Sequence, residues 1–190
     1  SLSAVTTGER NTAIGRSALN LNTGSKNTAV GMNCLELNTS GNQNTAVGTR
    51  ALVNNTTADN NTAVGNDCLF SNTTGTVNTA VGQNALLNNT TANANTAVGV
   101  TCMEANTTGT ENTAIGQSSL KANTTGNYNT AVGRTALFAA TTASENVAVG
   151  KGSMNTCTTG NENTAVGTDS LRDLTTGDRN VAVGRQAGLH

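Results

Sequence analysis

Asn44-Thr45-Ala46-Val47-Gly48 returns seventeen residues later as Asn61-Thr62-Ala63-Val64-Gly65, and again as Asn78-Thr79-Ala80-Val81-Gly82. The same Asn-(Thr/Val)-Ala-(Val/Ile)-Gly pentapeptide also starts at Asn11, Asn27, Asn95, Asn112, Asn129, Asn146, Asn163 and Asn180. The first interval is 16 residues and the next nine are 17. So strict a period predicts stacked units, each touching only its neighbours. Numbered from the leading Asn, the unit reads Asn-Thr-Ala-Val-Gly-x-x-Ala-Leu-x-x-Asn-Thr-Thr-Gly-x-x.

Seventeen residues cannot hold two helices and a turn, and the Gly at positions 5 and 15 with the Asn-Thr-Thr run would break a helix twice per unit. Short strands joined by Gly-rich corners fit. The sequence therefore predicts an all-β chain, one parallel β-solenoid over residues 1–190 with about eleven coils. At a strand separation of about 4.8 Å the rod is roughly 50 Å long.

Side chains alternate along a strand. Val147 and Val181 replace Thr at position 2, which suggests that positions 2 and 4 face the interior. Leu at position 9 (Leu19, Leu35, Leu52 and their equivalents) is expected to fill the opposite wall. Asn and Ala of positions 1 and 3 are then expected outside. A small-residue face suits a closely packed subunit, so the oligomer face is expected along Asn44, Ala46, Asn61, Ala63, Asn78, Ala80, Asn95 and Ala97. Asn stacked on Asn and Thr on Thr should form side-chain ladders.

Composition narrows the function. Only 2% of residues are aromatic, which excludes a bulky apolar core, while 11% charge with a net charge of −1 argues against an expanded, self-repelling chain. No basic patch suggests nucleic acid. All 21 charged residues fall at positions 6, 7, 10, 11, 16 or 17, which marks these as solvent-facing corners. No apolar stretch approaches the roughly 20 residues of a membrane span, so no membrane insertion is expected. Ser1-Leu2-Ser3-Ala4-Val5 lacks the features of a signal peptide. Both ends interrupt a unit, which reads as a segment of a longer fibre protein.

Reactive groups are few. Cys34, Cys68 and Cys102 share position 8 and lie two coils apart, roughly 9–10 Å along the rod and too far for a disulfide. Cys157 stands at position 12 of another coil. All four read as small buried residues, and no Cys-x-x-Cys or His spacing points to a metal. The one histidine, His190, is the last residue, so no nucleophile-histidine site is expected. The glycines follow neither a dinucleotide nor a P-loop pattern, and no cofactor is expected. Sequons such as Asn55-Thr56-Thr57 and Asn72-Thr73-Thr74 read as ladder structure rather than as glycosylation sites. Phe70 and Phe138 at position 10 and Tyr128 at position 17 are weak candidates for ligand contact, with local packing the simpler reading.

Asn146-Val147-Ala148-Val149-Gly150 and Asn180-Val181-Ala182-Val183-Gly184 resemble the YadA-like head repeats of trimeric autotransporter adhesins. The full unit is also similar to repeats of viral and bacterial tail-fibre-type proteins, and the resemblance covers essentially the whole chain with a longer spacing than in the adhesin heads. It implies a left-handed β-roll, three chains side by side as a homotrimer, and attachment to a host or matrix surface from an extracellular, cell-surface or virion fibre. The expected function is a non-enzymatic structural and adhesive fibre segment. An ice-binding solenoid is the alternative, since flat rows of Thr on a low-charge rod could order water. Against it stands the expectation that the position 2 threonines point inward.

Overall fold

The computed structural model describes residues 7–189; Ser1-Leu2-Ser3-Ala4-Val5 and His190 lie outside them. Each pentapeptide supplies one three-residue strand, from β1 (Thr12–Ile14) to β11 (Val181–Val183). The strands form a single 11-stranded sheet in chain order. Every neighbouring pair is parallel and in register, Thr62 beside Thr45 and Thr79, and Ala63 beside Ala46 and Ala80. The chain is thus all-β, a parallel β-solenoid with one coil per unit.

The corners are made by left-handed backbone. Besides Gly at position 5, residues at positions 7, 9 and 17 have positive φ throughout, for example Arg50, Leu52 and Asn60 at 57°, 51° and 60°. Such residues cost on the order of 1–2 kcal/mol each when they are not Gly. At position 9 burial offsets the cost. Leu19, Leu35, Leu52, Leu69, Leu86, Leu120 and Leu137 are fully buried, as are Met103 and Met154 in the same place, and each apolar side chain withdrawn from water contributes about 1.5–3 kcal/mol. At position 5 the constraint is double. Gly65 has φ +143°, and a Cβ there would stand 2.5 Å from the Gly82 carbonyl oxygen of the next coil.

The strand is turned the other way from the sequence expectation. Ala29, Ala46, Ala63, Ala80 and Ala97 are fully buried, and so are Asn44, Asn61, Asn78 and Asn95. The residues expected to form an oligomer face are therefore core. Position 2 threonines and position 4 valines lie on the outer side, partly exposed. The cause is space. Leu at position 9 already occupies the lumen, and the strand opposite leaves room only for a methyl group and an amide. In the coil Asn44–Asn60 the residues at positions 1, 3, 8, 9, 12 and 15 are buried, and so is Val53 at position 10. Leu at position 9 and the charged corners agree with the sequence reading, for no charged residue is buried among the described residues.

Two buried asparagine files run up the inside. At position 1, the Asn61 backbone N–H donates to Asn44 Oδ1 at 2.9 Å and Asn61 Nδ2 donates to the Gly75 carbonyl at 2.8 Å. At position 12, Asn72 Nδ2 donates to Asn55 Oδ1 at 3.0 Å and to the Gly75 carbonyl at 2.9 Å. Burying an amide without partners costs several kcal/mol, so these donors and acceptors have to be matched coil by coil. The second file stops where Ala140 replaces Asn. Asn123 Oδ1, the last acceptor, is buried without a partner.

Candidate functional site: the threonine–valine face

The outer side of the sheet carries two files. Position 2 contributes threonine except at Val147 and Val181, and position 4 contributes Val or Ile in every coil. Ile14, Ile115, Val147, Val166, Val181 and Val183 are among the exposed large hydrophobics. No charged residue occurs at positions 1 to 5 of any unit. Two residues across and eleven strands long, the face is roughly 50 Å by 7–10 Å. That is several hundred Å² of charge-free surface, with an apolar file of Val and Ile along one side and a file of threonine along the other.

The threonine rows are not equivalent. At position 13 the hydroxyls are committed to the next coil, as when Thr56 Oγ1 donates to the Thr73 carbonyl at 3.1 Å and Thr73 Oγ1 to the Thr90 carbonyl at 3.2 Å. Position 14, with Thr57, Thr74 and Thr125, is exposed. The position 2 hydroxyls sit on the sheet face beside the valine file.

The corner at position 16 is more constrained than its variability suggests. Asn42 Oδ1 accepts from the Ser25 N–H at 2.8 Å, Asn93 Oδ1 from the Thr76 N–H at 2.7 Å, and Asn161 Oδ1 from the Ser144 N–H at 2.9 Å. A short polar side chain here caps the coil before it. The signal was in the sequence, because Asn, Asp, Ser or Thr fills this position in all ten units that reach it.

All four cysteines are buried and free. Cys68 Sγ donates to the Ala80 carbonyl at 3.1 Å and Cys102 Sγ to the Ala114 carbonyl at 3.2 Å, the bond that Ser119 makes to Ala131 in its own coil. Desolvation pushes the thiols of Cys68 and Cys102 up to about 12, which removes thiolate character at neutral pH. Among the described residues no group of three His, Cys, Asp or Glu could hold a metal ion, and no helix is long and apolar enough to cross a membrane.

The aromatic residues do not converge. Phe70 and Phe138 share a corner but are four coils apart, roughly 19 Å along the rod. Tyr128 stands on a different corner, 55% exposed, beside Glu145. Phe70 alone has a built environment, lying under the Arg50 guanidinium with 5.3 Å between Cζ and the ring centroid. No protein-family model matches the chain, no curated protein matches its sequence and no solved structure matches its fold.

Proposed function

We propose that the chain is a segment of a fibre, a non-enzymatic rod that associates side by side through its threonine–valine face and holds an adhesive assembly away from a cell or virion surface. The reading takes the coils as left-handed and the assembly as a homotrimer, as the resemblance to adhesin-head and tail-fibre repeats implies. One observation carries it, the unbroken, charge-free file of eleven Val and Ile residues along one side of a rigid rod. An apolar file of that length is stabilised when a second copy covers it. The contact face therefore moves from positions 1 and 3 to positions 2 and 4.

Sedimentation equilibrium tests this. The wild-type chain should show about three times its 19.1 kDa, and Val64→Arg with Val98→Arg should give a monomer with an unchanged β-sheet spectrum. A wild-type monomer at high concentration overturns the reading.

A second reading, ice binding, is favoured by the same outward turn, since the position 2 threonines stand on a flat, regularly spaced face. It ranks lower because only one of the two outward files carries hydroxyls, and that file is interrupted twice by valine. A thermal-hysteresis measurement separates the two: freezing-point depression by the wild type, lost in Thr62→Lys with Thr79→Lys, would favour ice binding.

A further inference from the structure

The corner at positions 7, 10 and 11 carries scattered apolar residues, Leu21 and Leu37 at position 11 and Phe138 at position 10, and one run in which three large apolar residues of a single position follow one another. At position 10, Val53, Phe70 and Leu87 follow one another in successive coils, where later coils place Glu104 and Lys121. The apolar stripe is bordered on one side by Arg50, Asp67 and Asn84 of position 7 and on the other by Asn54, Ser71 and Asn88 of position 11. Phe70 and Leu87 with Arg50, Asp67, Asn84 and Asn88 line a shallow groove of about 310 Å³.

The polar groups of this groove are arranged but incompletely used. Arg50 Nη2 donates to Asp67 Oδ2 at 2.7 Å, with the arginine side chain 49% exposed and the aspartate 14% exposed. Asp67 Oδ1 is buried and has no donor, one of only two such side-chain atoms among the described residues. The other, Asn123 Oδ1, is explained by the end of the asparagine file. A carboxylate oxygen held from water without a donor is costly, and the exposed Arg50 arm is the group whose movement would open it to an incoming hydroxyl.

We propose that this groove binds a neutral pyranoside of one or two sugar units. A pyranose has an apolar C–H face, which suits Phe70 and Leu87. It has vicinal hydroxyls that both donate and accept, which suits the Asp67 carboxylate, the spare N–H groups of Arg50 and the amides of Asn84 and Asn88. Three rungs span roughly 10 Å, the length of a disaccharide. A peptide that adds as an extra strand would instead call for an unpaired sheet edge, and the flank of the ladder offers none. An anionic ligand would meet the Asp67 carboxylate.

The inference rests on the adhesive reading and names its ligand class. Saturation-transfer NMR on the whole chain, with methyl glucoside, methyl galactoside, methyl mannoside, maltose and lactose as probes, tests it. At least one probe should show transfer to its ring C–H protons and bind with a dissociation constant in the millimolar range or below. Phe70→Ala and Asp67→Asn should each weaken binding tenfold or more. Phe138→Ala, at the same repeat position four coils away, should leave it unchanged. No transfer to any probe overturns the site, as does an equal loss in Phe70→Ala and Phe138→Ala. The mass of the same sample separates the two proposals, because a trimer that ignores every sugar refutes only the groove, and a monomer that binds one refutes only the fibre.

Discussion

Removing one rung from the inner asparagine file at position 12 should cost more in the middle than at the end. Asn72 donates to Asn55 Oδ1 and to the Gly75 carbonyl and accepts from Asn89 Nδ2 at 2.9 Å. In Asn72→Ala the Gly75 carbonyl keeps Asn61 Nδ2 at 2.8 Å and Asn89 Nδ2 keeps the Ala92 carbonyl at 3.2 Å. Asn55 Oδ1 keeps nothing. A stranded buried acceptor costs about 1–3 kcal/mol and each other lost bond about 0.5–1.5 kcal/mol, so the expected loss is roughly 2–6 kcal/mol. Asn123→Ala moves an existing defect instead of adding one, because Asn123 Oδ1 is already without a donor and its loss strands Asn106 Oδ1 in its place. It should cost about 1–3 kcal/mol less than Asn72→Ala. Ala140→Asn extends the file by one rung, gives Asn123 Oδ1 its donor and passes the donorless end to its own amide oxygen beside Cys157, so that the net gain is the added bond to the Ala143 carbonyl, about 1 kcal/mol. Urea denaturation followed by circular dichroism should rank the midpoints Ala140→Asn, wild type, Asn123→Ala, Asn72→Ala, from highest to lowest. Equal losses in Asn72→Ala and Asn123→Ala, or a destabilised Ala140→Asn, would refute the ladder reasoning.

Other outcomes follow from the corners and thiols. Gly65→Ala meets both a φ of +143° and a carbonyl 2.5 Å from the new Cβ, so the coils on either side should lose hydrogen-exchange protection. Val77 is β-branched with φ 61° and 57% exposed; Val77→Asn should raise the denaturation midpoint by the equivalent of about 1 kcal/mol, because Asn tolerates that backbone. Cys68 and Cys102, pushed up to about 12, should resist iodoacetamide at pH 8 until the chain is unfolded. Their folded state holds the proton more tightly than the unfolded thiol near 8.5, so the stability they confer is complete below that pH and is lost as pH rises toward 12. The midpoint of the wild type should therefore fall more steeply from pH 9 to 11 than that of Cys68→Ala with Cys102→Ala.

The sequence made the period, the parallel stack and the charged corners legible because a repeat of fixed length leaves few ways to close a coil. Leu52 and Leu69 were placed inside for the same reason that Arg50 and Glu104 were placed outside. The direction of the strand was not legible from hydrophobicity, since Thr45-Ala46-Val47 can bury either its centre or its flanks. Bulk favoured the flanks, but the width of the lumen decided for the centre. The signal that pointed the right way was tolerance: Ala at position 3 is the same in all eleven units while Thr and Val exchange at position 2. An exchange of hydroxyl for methyl is more easily borne on a surface than against a stacked neighbour. The groove at Phe70 was only half visible, because its aromatic residue could be picked out but the three-coil apolar stripe and the unpaired Asp67 oxygen appear only once the coils are stacked.

The central claim is that Ala and Asn of each strand face in while Thr and Val face out. Comparing Ala63→Val with Thr62→Val by chemical denaturation tests it most directly, since the two changes lie side by side in one strand. Overpacking a fully buried alanine between Ala46 and Ala80 should cost about 1–3 kcal/mol or more, whereas Thr62→Val should leave the midpoint in place, as the valines at 147 and 181 already do in their own coils. An Ala63→Val chain as stable as the wild type would contradict the account.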